Sequence, residues 1–462
     1  MRFGFYPLNP AILHFGIGVE AFCDGTADDS RFHFLQQFYL LTDSAIVSNF
    51  LGVDRLAAVG ASTSITFLIL GFCNGCAGGM AIPVAQAFGA RDYSALRRFV
   101  FSALILAAGI SLTLAVASSL LCRSIITWIH VPQDIFEWAY TYLLILFIGI
   151  PCSFFYNLLA SIIRALGDSR TPFLFLVFST CLNIVLDLLF ILVFRWGVAG
   201  AAIATVVAQG VSAILSYRFM MRNYDVLRDC PEDRRFSREA ASQLLAAGVP
   251  MGLQFSITAI GSIMIQSSNN SLGTVFVAGF AAGMRIKMLF MVALESLGIA
   301  MTTFCGQNIG AGKPERILEG LKACMLLIVV YCAACFAVVW PLAGTLSRIF
   351  VDSSDAEIIA AAVRYIRTSV AFFFLLGTLC VFRYSIQGLG FTQFAMWSGV
   401  MEMIARVLVS LLLVAPLGYT AICLGDGIAW IAANLFLVPA FIHVYKRVSR
   451  GGTTFGVVRH SM

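Results

Sequence analysis

Two polar residues lie inside the apolar stretch LNIVLDLLFIL, residues 182–192. Asn183 and Asp187 are four positions apart, so on a helix they share one face. A charged side chain in the middle of a membrane costs about 2.5–3.5 kcal/mol on insertion scales, and such residues are usually paired, hydrated or functional. Asp187 could therefore bind and release a proton or a sodium ion. The alternative is a structural polar cluster that joins helices.

Other ionisable residues also interrupt apolar segments. Asp43 lies within the first of these segments. Glu402 and Arg406 are four apart with the glutamate first, which is the favourable order for a helical ion pair. This pair is either structural or acts in gating or substrate contact. Glu295 and Asp426 lie within two further segments, where Glu295 could attract a cationic substrate and Asp426 is a second gating or substrate candidate.

The composition indicates that lipid surrounds these segments. Of 462 residues, 60% are hydrophobic and 12% are charged, and the mean hydropathy is +0.90. Soluble domains are nearer half apolar and a quarter charged. The 13 cysteines lie mostly inside apolar runs, which argues against a disulfide framework. We expect no soluble domain of any size.

Apolar runs long enough to cross a bilayer recur along the chain. They predict twelve membrane-spanning helices, at 34–51, 56–82, 98–121, 138–163, 172–194, 199–219, 243–268, 276–304, 321–344, 361–386, 394–416 and 420–444. A polar linker at 220–242 divides them into two six-helix bundles, 34–219 and 243–444. Residues 1–33 form an atypical, acidic N-terminal segment, and residues 445–462 form a tail.

The distribution of lysine and arginine predicts the orientation. With the N-terminus in the cytoplasm, 19 cations, including Arg383, fall on the inner side and six fall on the outer side. The outer six are Arg55, Arg123, Arg195, Arg348, Arg364 and Arg367. We therefore expect a multi-pass protein of the plasma membrane with both termini in the cytoplasm.

The two halves of the sequence resemble each other. A shift of 221 residues places AQAFGA (85–90) on GQNIGA (306–311), and a shift of 223 places RALG (164–167) on QGLG (387–390). Because six helices is an even number, both halves keep the same orientation and are related by a pseudo-two-fold axis along the membrane normal. Two such bundles enclose a cavity, and rocking between them gives alternating access. The predicted fold is thus an all-α polytopic membrane protein, and its symmetry indicates a transporter.

The sequence carries no motif for nucleotide hydrolysis or covalent catalysis. GQNIGAGKPE (306–315) fails as a P-loop, because its glycines are one residue too far apart and Pro314 replaces the serine or threonine. No HExxH, no G-x-S-x-G and no repeated filter-like loop is present. We therefore expect no enzymatic activity and no cofactor beyond a coupling ion, with energy from an ion gradient or a partner protein.

Seven stretches together resemble the MATE (multidrug and toxic compound extrusion) family. They are LTDSAIVSNFLGVDRLAAVG (41–60), AQAFGARD (85–92), IIRALGDSRTP (162–172), CLNIVLDLLFI (181–191), GQNIGAGKPERI (306–317), SGVMEMIARV (398–407) and GYTAICLGDGIAW (418–430). Asp43 with Asn183 and Asp187 is similar to the DinF-like bacterial branch. The resemblance implies two V-shaped bundles and efflux of organic, often cationic, compounds in exchange for H⁺ or Na⁺.

The resemblance also implies that Asp43 and the Asn183/Asp187 pair lie in one bundle. Two carboxylates near each other in a dry site cannot both ionise cheaply, so they suit a proton, or a sodium ion held by both carboxylates and the amide oxygen. Under the two shifts these three residues fall on Met264, Arg406 and Ser410. We therefore expect ion coupling in the N-terminal bundle alone.

Three functions remain open at this point. The first is export of cationic, amphipathic organic compounds by a monomer in the bilayer, with no nucleic-acid partner. The second is a flippase for a lipid-linked oligosaccharide or another lipid-like substrate, whose cavity would need several cations for phosphates. Mid-membrane cations are few, namely Arg406 with Arg285 and Lys287 nearer one end, and this favours export. The third, a non-transporting scaffold or receptor, would need no buried carboxylates that differ between the halves.

Overall fold

A computed structural model describes residues 46, 50–51, 53–128, 131–228, 230–233, 235–349, 351 and 355–450. Every element of regular structure within these ranges is helical. The predicted first span, 34–51, lies almost wholly outside the described residues, and Asp43 lies outside them too.

Long helices account for most of the described chain. The N-terminal half contains α1 (Val53–Gly89), α2 (Tyr93–Trp128), α3 (Gln133–Ile148), α4 (Ile150–Ala165), α5 (Arg170–Leu188) and α6 (Val198–Asn223). The linker contains α7 (Asp225–Arg228). The C-terminal half contains α8 (Arg238–Asn270), α9 (Thr274–Gly310), α10 (Glu315–Ser347), α11 (Ala356–Ala371), α12 (Phe373–Gly388), α13 (Thr392–Leu408), α14 (Val414–Leu417) and α15 (Tyr419–Ser449).

These helices provide eleven candidate spans within the described residues. Nine are unbroken or nearly straight, and two are bent pairs, α3 with α4 and α11 with α12. Each predicted span from 56–82 onward overlaps one of them. The helices extend beyond the apolar runs, since α2 has 36 residues and is about 54 Å long, whereas the hydrocarbon core is about 30 Å thick. The polar ends of the helices therefore reach the headgroups and water on both sides.

The internal repeat is also visible in the backbone. The bends of 48° and 50° in the two broken spans fall at Gly149 and Phe372, which are equivalent under the shift of 223. Gly167 and Gly390, equivalent under the same shift, end the turns after α4 and α12 with φ of +91° and +90°. The two halves therefore share one helical plan, as the sequence repeat predicts.

Small residues on α1 allow the two bundles to pack closely. A Cβ atom at Gly75 would lie 2.6 Å from the carbonyl oxygen of Met251, and one at Gly79 would lie 2.6 Å from that of Ala247, both on α8. Membrane helices commonly approach through small residues at this spacing. The glycines of α1 therefore serve contact between the bundles.

Two equivalent glutamines join the bundles at the face where α1 and α9 end. Gln86 Nε2 donates a hydrogen bond to the carbonyl oxygen of Gly388 at 3.0 Å. Gln307 Nε2 donates one to the carbonyl oxygen of Ala165 at 3.1 Å. The donors are equivalent under the shift of 221 and the acceptors under the shift of 223. The two hydrogen bonds are therefore the same contact made once in each direction.

Beside these hydrogen bonds, the backbones of α1 and α9 touch. A Cβ atom at Gly89 would lie 2.1 Å from the carbonyl oxygen of Gln307, and one at Gly310 would lie 2.0 Å from that of Gln86. Across a two-fold axis the same contact is made twice, once from each side, so the pseudo-two-fold axis passes here. We call Gln86, Gly89, Gln307 and Gly310 the axial crossing.

Asp233 fastens the linker to the N-terminal bundle. Its Oδ2 accepts a hydrogen bond from Arg97 Nη2 at 2.7 Å, and its Oδ1 accepts one from Ser94 Oγ at 2.8 Å. Arg97 also donates to the carbonyl oxygen of Val226 at 2.9 Å. The hydrogen bonds from Arg97 and Ser94 hold the pKa of Asp233 below its usual range.

The variant Asp233→Asn should loosen the linker, because the arginine loses its charged acceptor. We expect faster trypsin cleavage after Arg235 at pH 8 than in wild type, and no change for Glu232→Gln, which alters the exposed neighbouring carboxylate. The lowered folded-state pKa means that the carboxylate stabilises the fold above about pH 4, and that this contribution is lost as the pH falls further. The difference in Tm between Asp233→Asn and wild type should therefore shrink in acid, and equal cleavage at pH 8 would contradict the role of Asp233.

Candidate functional site

Asn183 and Asp187 lie together on α5, and both are buried, with Asp187 0% exposed. The Asn183 amide is oriented by its hydrogen-bond partners. In that orientation Nδ2 donates to Asp187 Oδ2 at 3.1 Å, and Oδ1 accepts from the backbone nitrogen of Thr205 on α6 at 3.3 Å. Helix α6 packs along α5 and closes this side of the site. The two predicted residues are therefore in contact, while their role stays a prediction.

A π-helical turn, Leu189–Val193, begins two residues after Asp187. Such turns are rare in proteins, and those that occur frequently lie at functional sites. The C-terminal half has a π-helical turn at Val409–Leu413, 220 residues further along. This register places Asp187 opposite Val407, whereas the shift of 223 places it opposite Ser410. Residues 407–410 read VLVS, so the C-terminal half has no equivalent carboxylate in either register.

This arrangement suits reversible cation binding. A buried carboxylate is expensive to keep charged, and a bound proton removes that charge. A sodium ion would instead take oxygen ligands from the carboxylate and the Asn183 amide. Carboxylates inside membrane bundles commonly serve as such ion sites in transporters.

The C-terminal bundle contains a continuous chain of buried charges. Lys287 Nζ on α9 lies 2.5 Å from Asp426 Oδ2 on α15, and Asp426 Oδ1 lies 3.2 Å from Arg406 Nη2 on α13. Arg406 Nη2 also lies 3.3 Å from Glu402 Oε2, and Glu402 Oε1 bonds Arg383 on α12. We call these five residues the C-terminal ion network, which ties four helices together.

Neutral side chains complete the C-terminal ion network. Tyr365 Oη on α11 accepts a hydrogen bond from Lys287 at 2.7 Å and lies 3.1 Å from Asp426 Oδ2. Ser398 Oγ accepts from Arg383 Nε at 3.1 Å. Buried charges are tolerated when they are paired and hydrogen-bonded in this way. Each carboxylate of the network contacts two cations, so its charge is already balanced within the bundle.

Glu295 on α9 lies near the network but is not bonded to it. It is partly exposed and forms no hydrogen bond or ion pair with any residue that the structure describes. Arg383 and Lys287 are the cations that act on its carboxylate. Of the four predicted substrate or gating residues, the structure therefore joins Glu402, Arg406 and Asp426 and leaves Glu295 as a separate carboxylate.

Sequence reasoning missed two members of the network. The sequence places Arg383 among the inner-loop cations and Lys287 nearer one end of its span, but both side chains are buried within the bundle, 9% and 6% exposed. Each of them interrupts an apolar run, as Asp187 does, and this was the available signal. Without Arg383 the predicted charge bias becomes 18 to 6, so the predicted orientation is unchanged.

The variant Arg406→Met should destabilise the protein strongly, because Glu402 and Asp426 lose their shared cation in a buried setting. Removing one partner of a buried ion pair costs about 3–5 kcal/mol. We expect a clear fall in Tm in detergent and a smaller fall for Arg406→Lys, which keeps the charge but not the forked geometry. Arg218→Met, on the exposed side of α6, is the control. Wild-type stability in Arg406→Met would show that the network does not support the fold.

Comparison with known proteins gives a consistent result. The MatE family model matches residues 33–189 and 250–412, one segment in each half. The chain is 30% identical over 401 residues to the probable multidrug resistance protein YpnP of Bacillus subtilis, covering 87% of this chain and 89% of that protein. It is 27% identical over 428 residues to DNA damage-inducible protein F of Escherichia coli, covering 90% and 89%.

A solved structure described as the outward-facing conformation of a multidrug resistance MATE family transporter matches this fold. Its TM-score is 0.85 at 23% sequence identity, and the match covers 94% of this chain and 97% of that chain. The predicted class, an all-α polytopic membrane protein of two related bundles, is confirmed.

Proposed function

Since the chain belongs to the MATE family of multidrug efflux transporters, we propose that it is a secondary antiporter. It exports cationic, amphipathic organic compounds in exchange for H⁺ or Na⁺ by alternating access. The observation that carries this proposal is the buried contact between Asn183 and Asp187 on a membrane helix, next to a π-helical turn.

The contrast between the two bundles supports coupling in the N-terminal one. In the C-terminal ion network each carboxylate contacts two cations. Asp187 accepts a hydrogen bond from the Asn183 amide, and residues 407–410 of the C-terminal half include no carboxylate. The N-terminal bundle therefore has a buried carboxylate beside an amide, which are the groups that a proton or a sodium ion would use. We therefore assign coupling to Asn183 and Asp187, with Asp43 as the proposed third member outside the described residues.

The axial crossing supports the alternating-access part of the proposal. It holds the two bundles together at the end of α1 and α9. With the predicted orientation, this end faces the cytoplasm. Breaking two hydrogen bonds and two backbone contacts would then open the inner side for substrate entry, and remaking them would close it.

Glu295 is the proposed contact for the positive charge of the substrate. Glu295→Gln should raise KM for a monovalent cation about tenfold. One contact between the Glu295 carboxylate and a cationic substrate, in a partly dehydrated site, contributes about 1.4 kcal/mol. A neutral substrate should be affected little. Glu319→Gln, an exposed carboxylate on α10, is the control. Equal loss for cationic and neutral substrates would show that Glu295 acts through structure instead.

The flippase alternative is less well supported. Lys287, Arg383 and Arg406 do come together in the C-terminal bundle, which is more positive charge than the sequence suggested. Each of them, however, is bonded to Glu402 or Asp426. The network holds three cations and two carboxylates, so its surplus is a single positive charge. A lipid-linked substrate would need several cations for its phosphates, and every cation here is already bonded to a carboxylate.

Transport in proteoliposomes tests the proposal. Vesicles with purified protein would be loaded with ethidium, and a pH gradient or a sodium gradient would be imposed in separate runs. We expect one gradient, and not the other, to drive ethidium movement above the rate of protein-free vesicles. Movement that neither gradient accelerates would overturn the antiporter assignment.

A further inference from the structure

Three of the six arginines predicted on the outer side cluster between positions 348 and 367. They are Arg348, Arg364 and Arg367. Cations are generally depleted from short loops on that side of a membrane protein. A local concentration against this trend points to a binding role for the cluster.

Two of these arginines line a groove between α10 and α11. The groove is open, with a volume of about 560 Å³, and Trp340 forms its wall on α10. Arg364 and Arg367 are three residues apart and so share one face of α11. Arg367 Nε donates a hydrogen bond to the carbonyl oxygen of Trp340 at 3.1 Å, and its guanidinium lies 5.6 Å from the centre of the Trp340 ring. Thr368 adds a hydroxyl group to the lining.

The groove is expected near the boundary between the hydrocarbon and the lipid headgroups. Arg364 and Arg367 are about 12 Å and 17 Å along the helix axis from Ala356, where α11 begins. Residues 356–388 form one bent span about 50 Å long, so about 10 Å of it extends beyond the hydrocarbon, which is about 30 Å thick, at each end. The two backbone positions then lie about 2 Å and 7 Å inside the boundary, a depth from which arginine side chains reach the headgroups. On α10, Phe336 and Val338 are 45% and 52% exposed, as expected of a surface that faces lipid. Tryptophan is enriched at this depth.

Both guanidiniums retain donors for an anion. Among the described residues, no acidic side chain forms an ion pair with Arg364 or Arg367. Each guanidinium has five N–H donors, and Arg367 uses one on Trp340. Arginine forks match phosphate geometry well.

We propose that this groove binds the phosphate of an anionic phospholipid. The phosphate lies between Arg364 and Arg367, the glycerol region rests beside Trp340, and the acyl chains lie along the exposed apolar face of α10. The bilayer itself is the source of the ligand, since exposed apolar side chains of α10 adjoin the groove. The site is separate from the ion pair on α5 and from the C-terminal ion network.

Native mass spectrometry of the detergent-solubilised full chain tests this site. Phosphatidylglycerol would be titrated into wild type, Arg364→Gln/Arg367→Gln and the control Arg123→Gln, which alters another exposed arginine predicted on the outer side. We expect binding to weaken about tenfold in the double variant and to stay at the wild-type level in the control. Equal binding by all three proteins would overturn the proposal.

Two further probes identify the source of the phosphate and guard against a folding defect. Diacylglycerol, which lacks phosphate, should bind only at background level. Displacement of the lipid by millimolar inorganic phosphate would mean that the site binds a soluble anion instead.

Phosphatidylglycerol with brominated acyl chains should quench tryptophan fluorescence less in Trp340→Phe than in wild type. Unchanged quenching in Trp340→Phe would place the lipid elsewhere, whatever the stability of the arginine variants.

Discussion

Asp187→Asn is expected to lose all gradient-driven export and to move ethidium no faster than protein-free vesicles do. Asparagine has nearly the shape of aspartate, so the packing between α5 and α6 is kept. Its amide takes up no proton near neutral pH and has no negative charge to attract a sodium ion. Asp187 is fully buried, so a neutral side chain at this position leaves the site without the charge that attracts the ion. The variant should therefore fold and bind substrate but fail to couple.

The measurement is ethidium efflux under the gradient that drives wild type, together with the Tm and elution profile of the variant. Asp168→Asn is the matched control, because it removes one carboxylate from the same bundle outside the spans, where Asp168 accepts hydrogen bonds from Thr171 N and Tyr224 Oη, each at 2.9 Å. That control should transport normally. A folded Asp187→Asn that still exports with wild-type dependence on the gradient would refute coupling at α5.

Asn183→Ala separates the two candidate ions at the same site. The amide oxygen is a ligand for sodium but is not required for a proton to bind Asp187. If sodium couples export, the concentration for half-maximal rate should rise about tenfold, the equivalent of about 1.4 kcal/mol. If protons couple it, the pH dependence should shift while export persists.

The sequence predicted the features that depend on local spacing. Asn183 and Asp187 at i and i+4 had to share a helix face, and Glu402 with Arg406 had to be close enough to pair. The positions of eleven spans followed from apolar length alone. Their ends did not, because a helix continues past the hydrocarbon as long as its polar residues reach headgroups and water, as at Arg98 of α2, whose side chain is 41% exposed, or bond other parts of the chain, as Arg97 bonds Asp233.

Features that depend on packing between distant segments were not predictable in this way. Nothing local in the sequence pairs Lys287 with Asp426, which is 139 positions away. The bend after α3 has a local cause, because Pro151 follows Gly149 and lacks the donor that would continue the helix. The equivalent bend at Phe372 has no proline. Its angle of 50° nevertheless matches the 48° of the first bend.

The axial crossing was predictable in part, because its residues stand out in the sequence although the contact between them joins distant segments. The shared motif AQAFGA and GQNIGA indicates a repeat but does not by itself predict a contact between its two copies. The residues Gln86 and Gln307, with Gly89 and Gly310, recur because they lie beside the pseudo-two-fold axis and contact each other. The two halves otherwise diverge, so an exact match of glutamine and glycine indicates residues beside the pseudo-two-fold axis. There the two copies of one surface pack against each other, and a change in one copy must fit the other.

Gly89→Ala and Gly310→Ala should therefore open the inner face. A real Cβ atom cannot lie 2.0–2.1 Å from a carbonyl oxygen, so α1 and α9 must separate by about 1 Å or more. This separation breaks the hydrogen bonds from Gln86 and Gln307, each contributing about 1 kcal/mol. The closed conformation should lose about thirtyfold in relative population, the equivalent of about 2 kcal/mol.

Distances between spin labels on the two bundles would measure this shift. Genetically encoded labels at Arg170 and Gln393, exposed and equivalent positions at the starts of α5 and α13, avoid the native cysteines. Double electron–electron resonance should show a longer distance in either glycine variant than in wild type. Gly109→Ala and Gly344→Ala are the controls, because a Cβ atom at each would meet nothing within 4 Å, and alanine favours a helix over glycine by about 1 kcal/mol.

The consequence for transport follows from the same contact. An antiporter needs both faces to close in turn, so a protein held open at the inner face should bind substrate from that side yet export it slowly. Asp187→Asn and the glycine variants would then fail differently: the first moves between conformations without coupling, and the second keeps its ion site but returns poorly to the closed conformation. An unchanged distance distribution in Gly89→Ala, with normal export, would mean that the bundles separate elsewhere and that the axial crossing is only a structural contact.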